Sequence, residues 1–287
     1  MKVLLAGAFG NLGSDILRAL CRSEHEIIAA DAVVRELEGV DAGRFETRSI
    51  DVTKPESLEG LCDGVDVVIT TVGLTKASSK VNNYDIDYRG NLNLLHEAEK
   101  AGVKHFAYIS VINADQGKGV PMVHSKFLME EELKKSGISY VIYRPTGYFY
   151  DIAKVFMPMV EKGEVQLLKM KKDPSCNVVD TADFADFILE TMCDENQTYN
   201  VGGKETYTYR QIAAMFFRAN GVKGRVRTLP PVAMSILACL PKIRKEGKRD
   251  VILFSKFTMT HDCVGDTQIG EKSFKAYIKG RSYIAKQ

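Results

Sequence analysis

The sequence predicts an α/β protein: a doubly wound parallel sheet with a smaller C-terminal α/β region. Three observations predict it. Short apolar runs alternate with helical stretches from residue 1 to 145. The first run leads through Gly7, Gly10 and Gly13 directly into a helix. A carboxylate, Asp31, ends the second run eighteen residues beyond Gly13. The expected division is residues 1–145 for dinucleotide binding and 146–287 for a substrate-binding region interleaved with that core.

Val3, Leu4, Leu5 and Ala6 form the first strand, and Ile16, Leu17 and Leu20 repeat at helical spacing after the glycines. The glycines therefore occupy a strand-to-helix turn of Rossmann type. Gly7 lets the chain turn sharply, Gly10 keeps side-chain atoms away from a pyrophosphate, and Gly13 lets the helix approach the sheet. Free N–H groups of the first helical turn, near Asn11 and Leu12, then face a dianion favoured by the helix dipole. Asp31 follows the strand at residues 26–30. A carboxylate there accepts hydrogen bonds from the adenosine ribose and repels a 2′-phosphate, so NAD(H) is favoured over NADP(H); Arg35 nearby works in the opposite sense.

Residues 45–53 read as the third strand, with Asp51 and Val52 at its adenine end. Residues 65–73 are the fourth, ending in the small side chains of Thr70, Thr71, Val72 and Gly73. A helix from near Tyr84 buries Leu92, Leu94, Leu95 and Ala98 and stops at Gly102. Residues 105–110 are the fifth strand. The helix after it directs Phe127, Leu128 and Leu133 inward, carries a charged outer face and closes at Gly137. Residues 138–145 are the sixth strand, stopped by Pro145. Beyond it the rhythm changes. A Met- and aromatic-rich stretch opens the second region, which ends with an apolar helix at 231–241, a basic loop at 242–250 and a last helix near 270–279.

Lys+Arg 39 against Asp+Glu 37 leaves a net charge of +2, which gives no bulk electrostatic case for nucleic acid. The six cysteines form no C-x-x-C pair, which argues against a zinc site or disulfide framework and for reduced thiols in a cytoplasm. The start of the chain enters a core strand at once, leaving no room for a cleaved signal, and no apolar run reaches membrane-spanning length. No metal site is expected, and an oligomer is possible.

With these residues in view, the chain resembles an extended-type short-chain dehydrogenase/reductase of atypical kind. The resemblance rests on GAFGNLG, Asp31, Asp51-Val52, TTVG, HFAYIS, Lys126, RPTGYF and the later NVVDTADFADFI and TYNVGGKETYTYRQIA. The closing FTMTHDCVGDTQIG is similar to a segment of the divinyl-chlorophyllide-reductase-like branch, which includes proteins similar to the 39-kDa subunit of complex I. The resemblance implies an NAD(P) site. Gly7, Phe9, Gly10, Asn11, Leu12 and Gly13 would hold the pyrophosphate, Asp31 the adenosine ribose, and Asp51 and Val52 the adenine. Thr71, Val72 and Gly73 would line the path to the nicotinamide ribose, which Lys126 would contact, with Ser110 beside it.

The departure lies beside that lysine. The family pattern Y-x-x-x-K needs a tyrosine at position 122, and the residue is Met122, whose thioether carries no transferable proton. The family's serine falls at Val111, with Ser110 one step earlier and so on the opposite face of a strand. Tyr148 is either the replacement acid or, the reading preferred on its residue type, an aromatic packed in the seam between the two regions, with Tyr150 and His124 as further candidates; His124, two residues before Lys126, points away and reads as surface. Val111, Met122, Tyr148 and Phe149 would line a pocket for a hydrophobic small molecule. Two readings stand: an NAD(P)-dependent reductase, or a non-catalytic dinucleotide-binding redox sensor or assembly subunit. An isomerase or dehydratase is a third, lacking a visible acid/base pair.

Overall fold

The computed structural model describes residues 1–74, 81–245 and 248–281. Eight parallel strands form the central sheet. They are β1 (Lys2–Ala6), β2 (Glu26–Asp31), β3 (Glu46–Ser49), β4 (Val67–Thr70), β5 (His105–Ile109), β6 (Ser139–Pro145), β9 (Gln197–Gly203) and β12 (Thr267–Ile269). Their spatial order is β12-β9-β6-β5-β4-β1-β2-β3. The chain winds outward from β1 in both directions, so the crevice of the switch point opens between the C-terminal ends of β1 and β4. Strands buried on both faces need continuous apolar runs, and Val3, Leu4, Leu5 and Ala6 are fully buried.

Helices α1 (Asn11–Cys21) and α5 (Thr181–Thr191) cover one face, through Ile16, Leu17, Leu20, Phe184 and Ile188. Helices α2 (Asn91–Ala101) and α3 (Pro121–Lys135) cover the other, through Leu94, Leu95, Ala98, Met129 and Leu133. Gly102 stops α2 in the left-handed conformation at φ +72, as the sequence suggests. Three local expectations change. Leu92, Phe127 and Leu128 are only half-buried, while Val123, Met129 and Glu130 face inward. Ser136, in extended conformation, ends α3 one residue before Gly137. The helix beginning at Tyr84 opens as a π-helical segment, Tyr84–Gly90, before α2.

A third apolar cluster lies beyond β6. It joins α4 (Phe149–Glu161), α6 (Tyr209–Ala219) and α10 (Phe274–Gly280) through Phe149, Phe156, Phe216 and Phe274. Two small sheets flank it: β7 (Glu164–Leu168) with β11 (Arg225–Leu229), and β8 (Ser175–Cys176) with β10 (Tyr207–Thr208). Helices α7 (Pro231–Cys239), α8 (Pro241–Lys245) and α9 (Arg249–Thr258) follow, with α7 packed on α9 and α9 on α3. Among the described residues no helix is long and apolar enough to cross a membrane.

Candidate functional site at the sheet switch point

The three glycines differ in what surrounds them. Gly7 has φ +79, and a Cβ there would lie 2.5 Å from the Thr71 hydroxyl and 3.1 Å from the Val72 amide. A Cβ at Gly13 would sit 2.0 Å from the Gly7 carbonyl oxygen, so only glycine lets α1 approach this closely. At Gly10 the nearest atom would be 3.3 Å away, and the residue is exposed. Gly10 caps α1 with no side-chain hydrogen bond, and Asn11 beside it is exposed. The first-turn amides are thus left for an anion. Thr71 closes the crevice floor by donating to the Gly7 carbonyl at 3.0 Å. Phe9 and Leu12 contribute backbone here, since both side chains are buried.

At the β2 side of the crevice, Phe9 is held through both of its backbone groups. Asp31 accepts from the Phe9 amide at 2.9 Å and the Val33 amide at 3.4 Å, while Arg35 donates to the Phe9 carbonyl. Asp51 accepts from the Thr53 amide (3.1 Å) and hydroxyl (2.6 Å) and pairs with Lys54 at 3.2 Å. These contacts, the Thr53 hydroxyl foremost, hold its carboxyl below the usual range. Val52 is buried against Gly90, and its carbonyl accepts from Asn93 at 2.9 Å. A hollow of about 440 Å³ opens alongside, between Thr53, Pro55, Leu92 and Asn93. A comparable one, about 470 Å³, lies at the opposite end of the sheet beside Ser139 and Asn196, away from every residue of this site.

On the β4–β5 side of the crevice lies an ion pair. Lys126 Nζ lies 3.2 Å from Asp87 Oδ1, donates to the Ile109 carbonyl at 3.0 Å and sits 5.5 Å from the centre of the Tyr108 ring. Asp87 is 1% exposed. Its Oδ2 accepts from the Leu74 amide at 3.1 Å and the Asn83 side-chain amide at 3.0 Å. A Cβ on Gly73 would fall 2.9 Å from Asp87 Oδ1 and 3.3 Å from Lys126 Nζ, so the bare backbone of Gly73 gives the pair its room. The π-helical segment carries Asp87 to this position, a common use of such segments. Sequence reasoning missed Asp87 and Asn83. The available signal was spacing: Asp87 shares the stripe of Asn91, Leu94, Leu95 and Ala98, a charge on a buried face.

Other expected residues are placed differently. The Ser110 hydroxyl is buried and donates to Glu130, a fully buried carboxylate that also takes Arg144 Nε at 3.0 Å and Nη2 at 2.5 Å. Ser110 is therefore engaged by a structural network, and α3 does not keep all its charges outside. Phe149 is packed against Phe274 at 4.9 Å and Tyr277 at 5.3 Å in the third cluster, so it is core and not pocket wall. Tyr148 stacks on Tyr150 at 5.6 Å and leans on Phe184 at 6.2 Å; burial pushes its phenol well above the ordinary value. That is the inter-region packing role and disfavours Tyr148 as the acid. Tyr150 reaches back to hydrogen-bond Asn11 beside the glycine loop. His124 is half-buried and shares a 3.0 Å hydrogen bond with the Tyr84 hydroxyl, so it is not simply surface. Met122 and Val111 are half-buried.

A sequence model described as the NmrA-like family matches residues 1–277. The chain belongs to the NmrA-like family. Among relatives of this NmrA-like chain, the photosystem II assembly factor Ycf39 of Trieres chinensis is 23% identical over 242 residues, 83% of this chain and 75% of that protein. The chloroplastic divinyl chlorophyllide a 8-vinyl-reductase of Arabidopsis thaliana is 26% identical over 231 residues, 71% of this chain and 53% of that protein. Among solved structures, the NADPH complex of the quinone oxidoreductase QOR2 of Escherichia coli superimposes with a TM-score of 0.76 at 18% identity, covering 96% of this chain and 98% of that one. At that identity the likeness speaks for the fold, and the NmrA-like chain shares its Rossmann architecture.

Proposed function

We propose that this NmrA-like chain is an NAD(P)H-dependent reductase acting on a hydrophobic small molecule. The observation that carries the reading is the placement of Lys126, fixed by Asp87 and the Ile109 carbonyl, across the switch point from a glycine loop whose N-terminal helical amides are uncapped. The cradle fits a dinucleotide, because Gly10 is open where Gly7 and Gly13 are pressed against backbone. The amides near Asn11 and Leu12 would hold the pyrophosphate, Asp31 the adenosine ribose, and Lys126 the second ribose. Asp51 and Val52 would border the adenine, and Thr71, Val72 and Gly73 the path between. Bound NAD(P)H supplies a hydride.

The chain's own residues orient and neutralise more than they transfer protons. Lys126 keeps a positive charge at the ends of β4 and β5, and Asp87 and Ile109 fix its direction. Met122 offers an apolar wall in place of an acid. This favours conjugated acceptors, whose reduced forms take a proton from water. Asp31 favours NAD(H); Arg35, on the carbonyl of the same residue, Phe9, is the group through which NADP(H) would be accepted.

The test is NAD(P)H oxidation by the purified chain against quinones, azo compounds and conjugated alkenes. Turnover with one class, lost in Lys126→Ala, supports the reading; no oxidation with any of them rejects it. The assembly-subunit reading is favoured by Met122 and by the Ycf39 relatives. It expects nucleotide binding without turnover, and biological activity that survives Lys126→Ala.

A further inference from the structure

The strongest feature outside the crevice is α7. One side of it packs on α9, where Lys256 Nζ donates to the Ser235 hydroxyl at 2.7 Å and Ala238 is buried. The other side is apolar and open. Val232 is 60% exposed, Ile236 61% and Leu240 45%, and Cys239 is exposed beside them. At spacings of four, three and one these residues form a single stripe a little over two turns long. Leu229, 41% exposed, continues it toward β11.

Both ends of the stripe carry cations. Leu229 pairs with Leu168 in the β7–β11 ladder, and its carbonyl accepts from the Lys169 amide at 2.8 Å. That contact places Lys169 at the start of α7, and Lys171 and Lys172 follow it two and three residues on; all three are exposed. Lys242 and Arg249, also exposed, follow its end. Some of this charge is already answered within the chain, since Lys172 pairs with Asp262 at 3.5 Å and Arg249 with Asp250 at 3.3 Å. The whole chain carries only +2, so no bulk charge supplies the attraction and it rests on the cations at these two ends.

We propose that α7 seats this protein on an anionic lipid surface. The stripe enters the headgroup layer, and the lysines at either end meet acidic headgroups. Charge decides against a second copy as the occupant. Two-fold pairing through α7 would set the Lys169–Lys172 end against the Lys242–Arg249 end, cation against cation. The attachment is peripheral and reversible, because a single nine-residue helix is too short to span. It does not depend on the reductase reading.

The test is co-sedimentation of the full chain with phosphatidylcholine vesicles, with and without phosphatidylglycerol. The expected result is binding only to the acidic vesicles, weakened by salt. Val232→Glu with Ile236→Glu should lower it by about tenfold or more. Lys169→Gln, Lys171→Gln and Lys172→Gln together should also weaken it and flatten the salt dependence. The chain has no tryptophan, so Leu240→Trp supplies a lone reporter whose emission moves to the blue on acidic vesicles. These positions are exposed, and unchanged far-UV circular dichroism verifies the fold of each variant. Three results overturn the proposal: no binding to acidic vesicles, binding undiminished by the Val232→Glu/Ile236→Glu pair, or a solution dimer that this pair dissolves.

Discussion

The ammonium of Lys126 lies 3.2 Å from the Asp87 carboxylate, whose side chain is 2% exposed. A carboxylate this deep depends on its partner. Removing the lysine leaves it unpaired, and Lys126→Met is expected to lower the free energy of unfolding by about 3 kcal/mol. Adding Asp87→Asn removes the stranded charge and should restore much of that loss. Urea unfolding of the two variants is the measurement; an unchanged midpoint for Lys126→Met would refute a fixed pair.

Gly13 and Gly10 should separate fold from binding. A methyl at Gly13 meets the Gly7 carbonyl at 2.0 Å, so Gly13→Ala is expected to cost about 2 kcal/mol of stability and nucleotide binding with it. Gly10→Ala meets only the edge of the same oxygen, at 3.3 Å, and should fold normally while binding nucleotide poorly. Thermal melts paired with NADH titration decide it.

Asp31 and Arg35 hold the amide and the carbonyl of Phe9, and they should pull cofactor choice in opposite directions. Asp31→Ser is expected to shift the ratio of NADPH to NADH affinity upward by about tenfold, the worth of removing one like-charge contact. Arg35→Ala should weaken NADPH alone. Calorimetric titration of both cofactors gives the ratio directly; equal losses for both in each variant would contradict the assignment.

The cysteines give a pH prediction. Burial pushes the thiols of Cys62, Cys176 and Cys263 up to about 12. Unfolded thiols release their protons near about 8.5. Their contribution to stability is therefore complete below the ordinary thiol value and is lost as pH rises from there toward about 12. The melting temperature should fall across that window and recover part of the loss when the three are replaced by alanine or valine. Exposed Cys239 should label with maleimide first, and the buried three only on unfolding.

The glycine-loop half of the crevice was legible because it is written in local chemistry. A strand, a glycine turn and a helix are contiguous, and each glycine answers to a contact within its own turn or at the adjacent strand end. Gly102 is legible for the same reason. Asp87 is not, since its role depends on a π-helical segment and on Lys126, about forty residues further along the chain on the neighbouring helix α3. Glu130 reads as one more surface charge in KFLMEEELKK until Arg144 on β6 and Ser110 after β5 come together around it. Phe149 sits directly after the sixth strand, where a cleft was expected, but a helix begins there and turns its ring into the third cluster.

Asn177 ties the two ends of the story of this sheet together in time. Its side chain, fully buried, donates to the Gly265 carbonyl at 3.0 Å and accepts the Gly265 amide at 2.8 Å, while its own carbonyl takes the Gly203 amide at 2.6 Å. Six of the eight sheet strands, β1 to β6, precede it in the chain. During synthesis on the ribosome those six can assemble early, but the β9 edge and the Asn177 amide wait for Gly265 and β12, made well after them. A nascent chain truncated before Gly265 would thus present an open sheet edge beside a stranded polar group, the sort of signal by which quality control recognises an unfinished protein.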